Sequence, residues 1–364
     1  MRTYVCSSCG ESFPVEPGRW CCSCGAPLDL SPLPAAPLRL DEGLRSVWRY
    51  RAVMALDPGE TAWRRVSLGE GGTPLISEPV SGEVYLKLDF LMPTLSYKDR
   101  GAAVLVSKAA ELRVGRLVAD SSGNAGTAMA AYAARAGMDA EVFVPASTSQ
   151  KKVDQLRRLG ATVQRVEGDR TDAAAAVRDR IRGTGVFYAS HVYNPFFLEG
   201  TKTFAYEVWE QLGRRAPGTV VVPAGNGTLL LGAALGFREL VAAGAAERTP
   251  RLVAVQSELC DPLAAAWDGR RADLGRWTAT VAEGIAIPDP PRLAQMLRAV
   301  QASGGLCLTA TDEQIDGARA ALAARGIDVE PTAAAVWAAW RAWPQAADTP
   351  TPVVVALSGA GLKA

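Results

Sequence analysis

Arg116-Leu117-Val118-Ala119-Asp120 followed by Ser121-Ser122-Gly123-Asn124 is the stretch of sequence that decides the fold. The apolar residues of its first half are typical of a buried strand, and its second half turns into an alanine-rich helix that is predicted to reach Ala136. The same order recurs along the chain. Further strands are predicted over 84–88, 141–144, 161–166, 219–222, 251–255 and 352–357, and further helices from residue 98 and over 149–159, 172–182, 199–212 and 228–243. This alternation predicts an α/β fold of parallel sheets covered by helices on both faces.

The composition is that of an ordinary globular protein. The 364 residues are 48% hydrophobic and 21% charged, and their length suits two lobes with small additions. A net charge of +1 gives no reason to expect nucleic acid or an acidic membrane as a partner. No apolar run approaches the ~20 residues that cross a bilayer, and no signal-peptide core is recognisable. We therefore expect a cytoplasmic protein.

Five of the seven cysteines lie within the first 24 residues. The pairs Cys6-x2-Cys9 and Cys21-x2-Cys24 have the spacing of the ligands of a small four-thiolate zinc site. Cys22 is an alternative ligand to Cys21, and a set of reduced thiols in a mobile arm is the alternative to a metal. Because four protein ligands leave no open coordination position, a zinc ion at this place would be structural.

Lys98 lies at the start of a predicted helix, within Ser96-Tyr97-Lys98-Asp99-Arg100-Gly101. A desolvated lysine amine is a nucleophile toward an aldehyde, although an exposed Lys-Asp-Arg at a helix start is more often solvated charge. Three other segments with chemistry follow predicted strands, namely Ser121–Asn124, Gly225–Thr228 and Ser358-Gly359. Since ligands bind at the carboxyl ends of strands in open parallel sheets, we expect these segments to form one site.

The segment Pro223-Ala224-Gly225-Asn226-Gly227-Thr228 follows an apolar strand and opens a helix. Its glycines let backbone N–H groups converge, and the helix N-terminus adds partial positive charge, so the loop suits a phosphate. A tight turn without a ligand is the alternative, because the segment matches neither the Rossmann nor the P-loop pattern.

Together these motifs resemble, in the same order, those of threonine-synthase-like enzymes. These belong to the tryptophan-synthase-β class, also called fold type II, of pyridoxal-phosphate (PLP) enzymes. The resemblance runs from about residue 67 to the C-terminus, and members of several lineages also carry an N-terminal cysteine knuckle. Two further motifs carry it, besides those above and the Ser-Gly-x-Gly-Leu-Lys tail: Glu70-Gly71-Gly72-Thr73-Pro74-Leu75 and Asn194-Pro195-x-x-x-Glu199-Gly200.

The resemblance implies a cofactor role for several residues. Lys98 would hold PLP as an internal aldimine and later move the α-proton, and Asn124 would hydrogen-bond the ring oxygen. Ser358 would face the pyridine nitrogen, where a neutral hydroxyl favours elimination and replacement over transamination. The phosphate would be cradled by Gly225, Asn226, Gly227 and Thr228. The candidates for the substrate carboxylate are Thr73, Ser121 and Ser122, since hydroxyls and N–H groups at helix starts suit an anion.

The resemblance also implies a domain organisation. Residues 1–30 would form a zinc-ribbon-like module, and the proline-rich residues 31–45 a linker. A large PLP-binding domain would comprise residues 46–97 and 200–364, with a small domain of residues 98–199 inserted in it. Each lobe would contain a mostly parallel sheet flanked by helices.

The sequence departs from the threonine synthase pattern on the substrate side. Those enzymes typically use an asparagine, a serine and an arginine to grip the phosphate of O-phosphohomoserine, and His191, Val192 and Phe197 stand at these positions. Each lost charge-assisted contact is worth ~1.5–3 kcal/mol. His191, the chain's single histidine, is either structural or an acid–base or specificity residue. Glu283 is a further candidate neighbour of the cofactor.

These observations favour a PLP-dependent lyase or synthase acting at the β or γ carbon of an amino acid other than O-phosphohomoserine. A β-replacement synthase of the cysteine- or cysteate-synthase type and a serine/threonine ammonia-lyase are the enzymatic alternatives. A non-catalytic sensor of the same fold and a zinc-ribbon adaptor are the alternatives of another class. The expected partners are a small-molecule amino acid and a second copy of the chain in a homodimer, the usual state in the family.

Overall fold

The structure is a computed structural model of the chain and describes residues 2–33, 37–79, 82–270 and 278–363, so residues 34–36 of the predicted linker lie outside it. The strands are β1 Tyr4–Cys6, β2 Ser12–Phe13, β3 Leu28–Leu30, β4 Leu75–Ser77, β5 Val84–Lys87, β6 Arg116–Ala119, β7 Asp139–Pro145, β8 Thr162–Val166, β9 Phe187–Tyr188, β10 Thr219–Pro223, β11 Arg251–Ser257, β12 Leu306–Ala310 and β13 Val353–Ala356. The α-helices are α1 Trp63–Val66, α2 Lys98–Glu111, α3 Asn124–Ala136, α4 Gln150–Arg158, α5 Arg170–Ile181, α6 Pro195–Thr201, α7 Thr203–Gln211, α8 Thr228–Ala242, α9 Pro262–Trp267, α10 Leu293–Ala302, α11 Asp312–Ala323 and α12 Pro331–Ala342. Short 3-10 helices span Val47–Val53, Ala346–Asp348 and Gly361–Lys363.

The chain forms two compact units. Unit 1 comprises Met1–Pro34, Arg39–Glu70 and Lys98–Gly200, and unit 2 comprises Ala35–Leu38, Gly71–Tyr97 and Thr201–Ala364. Residues 39–70 are thus grouped with unit 1, whereas the predicted large domain included residues 46–70. Glu70 accounts for this grouping, because its buried carboxylate accepts hydrogen bonds from Trp48 Nε1 at 2.6 Å and from the Tyr132 hydroxyl at 3.1 Å.

Unit 1 contains the strand and helix pattern with which the sequence analysis began. Its four-stranded sheet has the order β8-β7-β6-β9, and all neighbours are parallel. Helices α3 and α5 pack against β7, and α2 packs against α3. Because β6 and β9 are parallel neighbours, the turn after β6 and the segment after β9 leave the sheet at the same edge. The predicted parallel sheet is confirmed.

Unit 2 contains a six-stranded sheet of order β12-β11-β10-β13-β5-β4. Five of its strands run parallel, and β4 pairs with β5 in the antiparallel sense. Its core joins the inner strands to helix α12, whose residues 332–340 are all buried. The loops after β10 and β13 leave this sheet at one edge, since these two strands are parallel neighbours.

Several elements differ from the sequence-based prediction. The predicted helix over 199–212 is two helices, α6 and α7, that meet at Lys202. The pattern analysis did not predict β12 or helices α10, α11 and α12. The strand β12 is a partly exposed edge strand, and α12 is buried on all sides, so neither has a clear alternation of polar and apolar residues.

The N-terminal residues form a small antiparallel sheet of order β2-β1-β3 within unit 1. Its strands have only two or three residues each. Two or three such short strands are marginal on their own in water, so this sheet depends on further contacts. Within the part of the chain that the structure describes, no helix is long and apolar enough to cross a membrane.

Candidate functional site

Lys98 is the first residue of α2 and is half-buried, while Asp99, Arg100 and Gly101 after it are buried. The helix therefore holds the lysine at its N-terminal end, as predicted. One turn further on, the backbone of Gly101 lies against the ring of Phe197. A β-carbon at residue 101 would come within 2.5 Å of Phe197 Cε1, so only glycine fits beneath this ring.

The turn Ser121–Asn124 follows β6 directly and leads into α3. The N–H of Gly123 donates to Ser121 Oγ at 3.3 Å, and Gly123 caps α3 without a side-chain hydrogen bond to the helix. A β-carbon on Gly126 would come within 1.8 Å of the Ser121 carbonyl oxygen, so the first turn of α3 packs tightly under the loop. The N–H groups at this helix start and the two serine hydroxyls suit an anionic ligand.

The segment after β9 carries His191 and Phe197 within the same unit. The hydroxyl of Ser190 accepts from the N–H groups of Val192 and Tyr193, at 3.3 and 3.2 Å, which fixes the turn around His191. The imidazole meets the Phe197 ring edge-on, with 5.9 Å between the centroids, and Phe197 is fully buried. Burial holds the pKa of His191 well below its usual value, and the positive charges of Lys98 and Arg170 act in the same direction.

The glycine loop of unit 2 lies between β10 and α8, as predicted. Gly227 has a φ of +73°, and a β-carbon there would come within 2.1 Å of Met296 Sδ. A β-carbon on Gly225 would lie 2.8 Å from the carbonyl oxygen of Gly284. Space therefore requires glycine at residue 225 and the positive φ favours it at residue 227, and the backbone N–H groups of such a loop suit a phosphate. Glu283 precedes Gly284 but is itself exposed.

Ser358 follows β13 and is 1% exposed. Its Oγ has no hydrogen-bond partner among the described residues, whereas its carbonyl accepts from the N–H of Tyr97 at 2.9 Å. The Tyr97 hydroxyl in turn lies 3.0 Å from Thr228 Oγ1 in the glycine loop. An unsatisfied buried hydroxyl costs ~1–3 kcal/mol, and a ligand atom that hydrogen-bonds to Ser358 Oγ would remove this cost.

Thr73 lies in a buried ionic network of unit 2. Its Oγ1 is 2.6 Å from Asp89 Oδ1 and 3.2 Å from Glu207 Oε1, and Lys87 Nζ donates to the same Glu207 oxygen at 2.5 Å. With two carboxylates against it, the Thr73 hydroxyl is a poor ligand for a third one. We therefore retain only Ser121 and Ser122 as candidates for the substrate carboxylate.

The structure thus gathers the predicted residues in two groups. Those of unit 1 lie at the start of α2 or α3, on α6, or in the turns that follow β6 and β9: Lys98, Ser121, Ser122, Asn124, His191 and Phe197. Those of unit 2 are Thr73, Gly225, Asn226, Gly227, Thr228 and Ser358. Sequence reasoning missed Tyr97 and Met296 as neighbours of the glycine loop. The sequence could have indicated Tyr97, since it precedes Lys98 in the same motif. It could not have indicated Met296, which comes from α10, a helix that was not predicted.

The cysteine group differs in one member from the spacing-based prediction. The sulfur atoms of Cys6, Cys9, Cys22 and Cys24 all lie within 4.8 Å of one another. Cys21 is not in this group, and Cys22, the alternative ligand, takes its place. The reason is the turn geometry, because the N–H of Gly25 donates to the carbonyl of Cys22 at 2.9 Å and so closes the turn on Cys22. At Cys6, the N–H groups of Ser8 and Cys9 point to the sulfur, at 3.4 and 3.3 Å, as they do toward a thiolate.

Comparison with known proteins agrees with this architecture. The model of the family described as "Pyridoxal-phosphate dependent enzyme" matches residues 66–359. Threonine synthase from Methanocaldococcus jannaschii is 33% identical over 347 residues, which are 90% of this chain and 84% of that protein. Threonine synthase from Methanosarcina acetivorans is 33% identical over 350 residues, which are 92% of this chain and 85% of that protein.

Solved structures of a threonine deaminase and of a PLP-dependent racemase have a fold similar to that of this chain. A threonine deaminase from T.th. has a TM-score of 0.68 at 26% identity, covering 82% of this chain and 96% of its own. A PLP-dependent aspartate racemase has a TM-score of 0.70 at 22% identity, covering 82% of this chain and 93% of its own, and this likeness concerns the fold alone. The chain therefore belongs to the family of pyridoxal-phosphate-dependent enzymes, as a threonine-synthase-like member with the type II fold.

Proposed function

We propose that this enzyme is a lyase or synthase that catalyses elimination or replacement at the β or γ carbon of an amino acid other than O-phosphohomoserine. The proposal has two parts. The cofactor half consists of the residues assigned to PLP, which keep the pattern of the family, and the substrate half consists of the residues assigned to the amino acid, which depart from it. The observation that carries it is the fully buried ring of Phe197, seated on Gly101 three residues after Lys98.

The residues present fit PLP. Ser358 offers a buried hydroxyl with no partner among the described residues, and Gly225 and Gly227 bring no side chain of their own into the loop after β10. In the proposed arrangement Lys98 binds the aldehyde, Asn124 the ring oxygen, residues 225–228 the phosphate and Ser358 the ring nitrogen. The bound cofactor supplies an electron sink for the carbanion that forms when the α-proton leaves. Lys98 is the group proposed to move that proton.

The substrate half is apolar where the family pattern has a phosphate site. The position expected to hold an arginine is Phe197, and its contacts are the Gly101 backbone and the His191 ring. The position expected to hold a serine is Val192, which is 7% exposed. A phosphate placed here would lose its charge-assisted hydrogen bonds and its water together, which is unfavourable by several kcal/mol. A substrate with a neutral or smaller leaving group fits this pocket better.

His191 is proposed to line the substrate pocket as a neutral imidazole. Burial and the positive charges of Lys98 and Arg170 oppose its protonation, so the imidazole is uncharged in the proposed pocket. The substrate carboxylate is assigned to Ser121 and Ser122 at the start of α3. With these roles assigned, Lys98 is the group proposed to move the α-proton.

The cofactor half is tested by visible absorbance. Purified protein supplied with PLP should develop the band of the bound cofactor, and Lys98→Ala should abolish it. Lys108→Ala is the matched control, because Lys108 lies on the same helix and pairs with Glu111 at 2.5 Å. Absence of the band in the unmodified protein, or its persistence in Lys98→Ala, would contradict the proposal.

The substrate half is tested with a panel of amino acids that includes O-phosphohomoserine, O-acetylserine, L-serine and L-threonine. Each is screened for changes in the cofactor spectrum and for products. We expect the largest changes with a compound that lacks a phosphate. Release of threonine from O-phosphohomoserine as the preferred reaction would overturn the assignment of Phe197.

A serine/threonine ammonia-lyase is the second candidate, favoured by the 26% identity to the T.th. threonine deaminase over most of that chain. The two are separated by the need for a second reactant. Release of a ketoacid and ammonia from L-serine or L-threonine alone identifies the ammonia-lyase, whereas a product that forms only with an added nucleophile identifies a replacement synthase.

The proposal includes a structural zinc ion at Cys6, Cys9, Cys22 and Cys24. Four sulfurs within 4.8 Å of one another match a closed tetrahedral site, and no ligand position is left for substrate. The homodimer that the family resemblance implies is also part of the proposal, and sedimentation of the PLP-loaded protein measures it.

A further inference from the structure

Three side chains of the N-terminal module contact the segment of unit 1 from Tyr188 to Glu199, besides the module's contacts with Gly185 and with the core cluster around Val118. We call the segment from Tyr188 to Glu199 the substrate segment, since it contains His191 and Phe197. The contacts come from three side chains of the module, which lie on different parts of it. The module therefore holds the segment at both ends and is not an independent appendage.

Trp20 makes the contact at the start of the substrate segment. Its ring meets Tyr188 edge-on at 5.6 Å between centroids and 76°, and Tyr193 edge-on at 5.1 Å and 84°. Edge-to-face packing at these distances is the favourable geometry for aromatic rings. Tyr188 and Tyr193 also stack on each other at 6.4 Å, so the three rings form one cluster whose two tyrosines flank His191 in the sequence.

Tyr4 and Arg2 make the contacts at the end of the substrate segment. The Tyr4 ring meets Phe196 edge-on at 6.2 Å, and both side chains are 1% exposed. Arg2 Nη1 pairs with Glu199 Oε1 at 2.8 Å, and the other oxygen of Glu199 accepts from the N–H of Ala55 at 2.8 Å. The side chains of Arg2 and Glu199 are 12% and 2% exposed, so this pair is shielded from solvent.

A short series of contacts leads from the substrate segment to the first turn of α2, the helix that begins at Lys98. His191 lies close to Tyr193 in sequence and touches Phe197, and Phe197 touches Gly101 on the first turn of α2. Every member of this series belongs to unit 1. Tyr193 is two residues from His191 in the turn that Ser190 holds, and interiors pack too densely for one ring to move alone, so we expect a shift at Trp20 to displace this turn.

The cysteine group fixes the position of Trp20. Trp20 directly precedes Cys21 and Cys22, and Cys22 is 2% exposed among the sulfurs of the group. The strands of the module are too short to hold this loop by themselves. A metal at the four thiolates would supply the missing stabilisation, as in other small metal-bound modules.

The same contacts argue against an adaptor for nucleic acid. Trp20 is packed against its own chain, and Arg19 both pairs with Glu16 at 2.9 Å and lies 4.1 Å above the Phe13 ring. The aromatic and basic side chains that would have to face a nucleic acid thus contact other residues of this chain instead.

We propose that Trp20 is a positioning residue for the substrate pocket: the metal-bound module presses it against Tyr188 and Tyr193 and so sets the position of His191. The inference rests on the proposed function for the meaning of the pocket, but it can be tested without any substrate.

The test uses His191 as the reporter, because it is the single histidine of the chain. In full-length protein labelled with histidine that carries carbon-13 at Cε1 only, and freed of any histidine tag, the imidazole gives one NMR signal. We compare Trp20→Ala and Trp20→Leu with Trp20→Phe, which keeps an aromatic ring. Trp343→Ala is the matched control, since Trp343 packs on Trp340 in unit 2, with 5.8 Å between their centroids.

We expect Trp20→Ala and Trp20→Leu to move or split the His191 signal by more than its line width. In Trp20→Phe the signal should lie close to its position in the unmodified protein. Cys22→Ser, which removes a proposed zinc ligand, should give the same change as Trp20→Ala. Trp343→Ala should lower the melting temperature and leave the signal in place. An unchanged signal in both Trp20→Ala and Trp20→Leu, or an equal change in Trp343→Ala, would overturn the proposal.

The cofactor band is recorded on the same samples. A normal PLP band in Trp20→Ala together with a displaced His191 signal assigns the effect to the substrate half. If even the unmodified protein lacks the band, the proposed function fails, while the NMR comparison still decides the role of Trp20.

Discussion

The ring of Phe197 rests on the α-carbon of Gly101, so closely that a β-carbon at residue 101 would lie 2.5 Å from Phe197 Cε1. This contact places an apolar wall one helical turn from Lys98. It also makes residues 101 and 197 a coupled pair, since neither side chain can grow unless the other gives way.

Gly101→Ala should therefore destabilise the protein by about 1–3 kcal/mol, the usual range for overpacking a core. Phe197→Leu in the same chain should relieve part of this, with a coupling energy of ~0.5–3 kcal/mol in a double-mutant cycle measured by denaturant unfolding. Gly115→Ala is the control, because a β-carbon there meets nothing within 4 Å. Additive effects of the two changes would show that the contact is not tight.

A second prediction concerns the unpartnered hydroxyl of Ser358. Ser358→Ala removes a buried polar atom that has no partner among the described residues, so the cofactor-free protein should be as stable as before or slightly more stable. The affinity for PLP should fall, because the ring nitrogen loses its proposed hydrogen-bond partner. Equilibrium titration with PLP and thermal unfolding without it measure the two effects separately.

Ser107→Ala is the matched control for Ser358→Ala. Ser107 is 2% exposed on α2 and its Oγ also has no partner among the described residues. Its replacement should raise or preserve stability in the same way and leave PLP affinity unchanged. Equal PLP affinity in Ser358→Ala and the unmodified protein would remove Ser358 from the cofactor site.

Much of the fold follows from local sequence. The strand and turn over residues 116–124 are predicted within a residue or two, because an apolar strand, a serine-glycine turn and an alanine-rich helix all indicate the same local structure. The edge strand β12 and the buried helix α12 escape such reasoning. Their residues are chosen by tertiary packing, which leaves no periodic pattern to read.

The candidate site, like the fold, could be predicted from the sequence only in part. Lys98 and the glycine loop are recognisable because their chemistry is concentrated in short motifs. The hydrogen bond between Tyr97 and Thr228 joins residues 131 positions apart, and the Trp20 contact joins the module to residues almost 170 positions further along, so neither could be read from spacing. The choice between Cys21 and Cys22 fails for another reason, since adjacent cysteines have nearly the same spacing and only the turn geometry separates them.

The cysteine choice gives a third prediction. Cys22→Ser should lower the zinc content of purified protein well below one equivalent, because the sulfur of Cys22 is one of the four gathered in the cluster. Cys21→Ser should keep close to one equivalent, which makes it a matched control at the neighbouring position. Metal analysis after dialysis against a weak chelator measures both, and zinc loss in Cys21→Ser alone would restore the original spacing-based assignment.

The last prediction concerns pH and His191, whose pKa is held well below its usual value of 6.5 by burial and by the charges of Lys98 and Arg170. The unfolded chain takes up a proton on this histidine below a pH of about 6.5, while the folded chain does not. Protonation therefore favours the unfolded state, and this residue's contribution to stability is intact above that pH and declines as the pH falls toward the folded-state pKa. Between the two pKa values the free energy of unfolding changes by about 1.4 kcal/mol per pH unit.

His191→Gln removes the titrating group. The difference in unfolding free energy between the unmodified protein and this variant should therefore shrink as the pH falls below about 6.5, with a slope approaching that value. Urea unfolding at several pH values measures this difference. Because both proteins share all other titrating groups, parallel curves would mean that the pKa of His191 is the same in the folded and unfolded states, which would contradict the prediction.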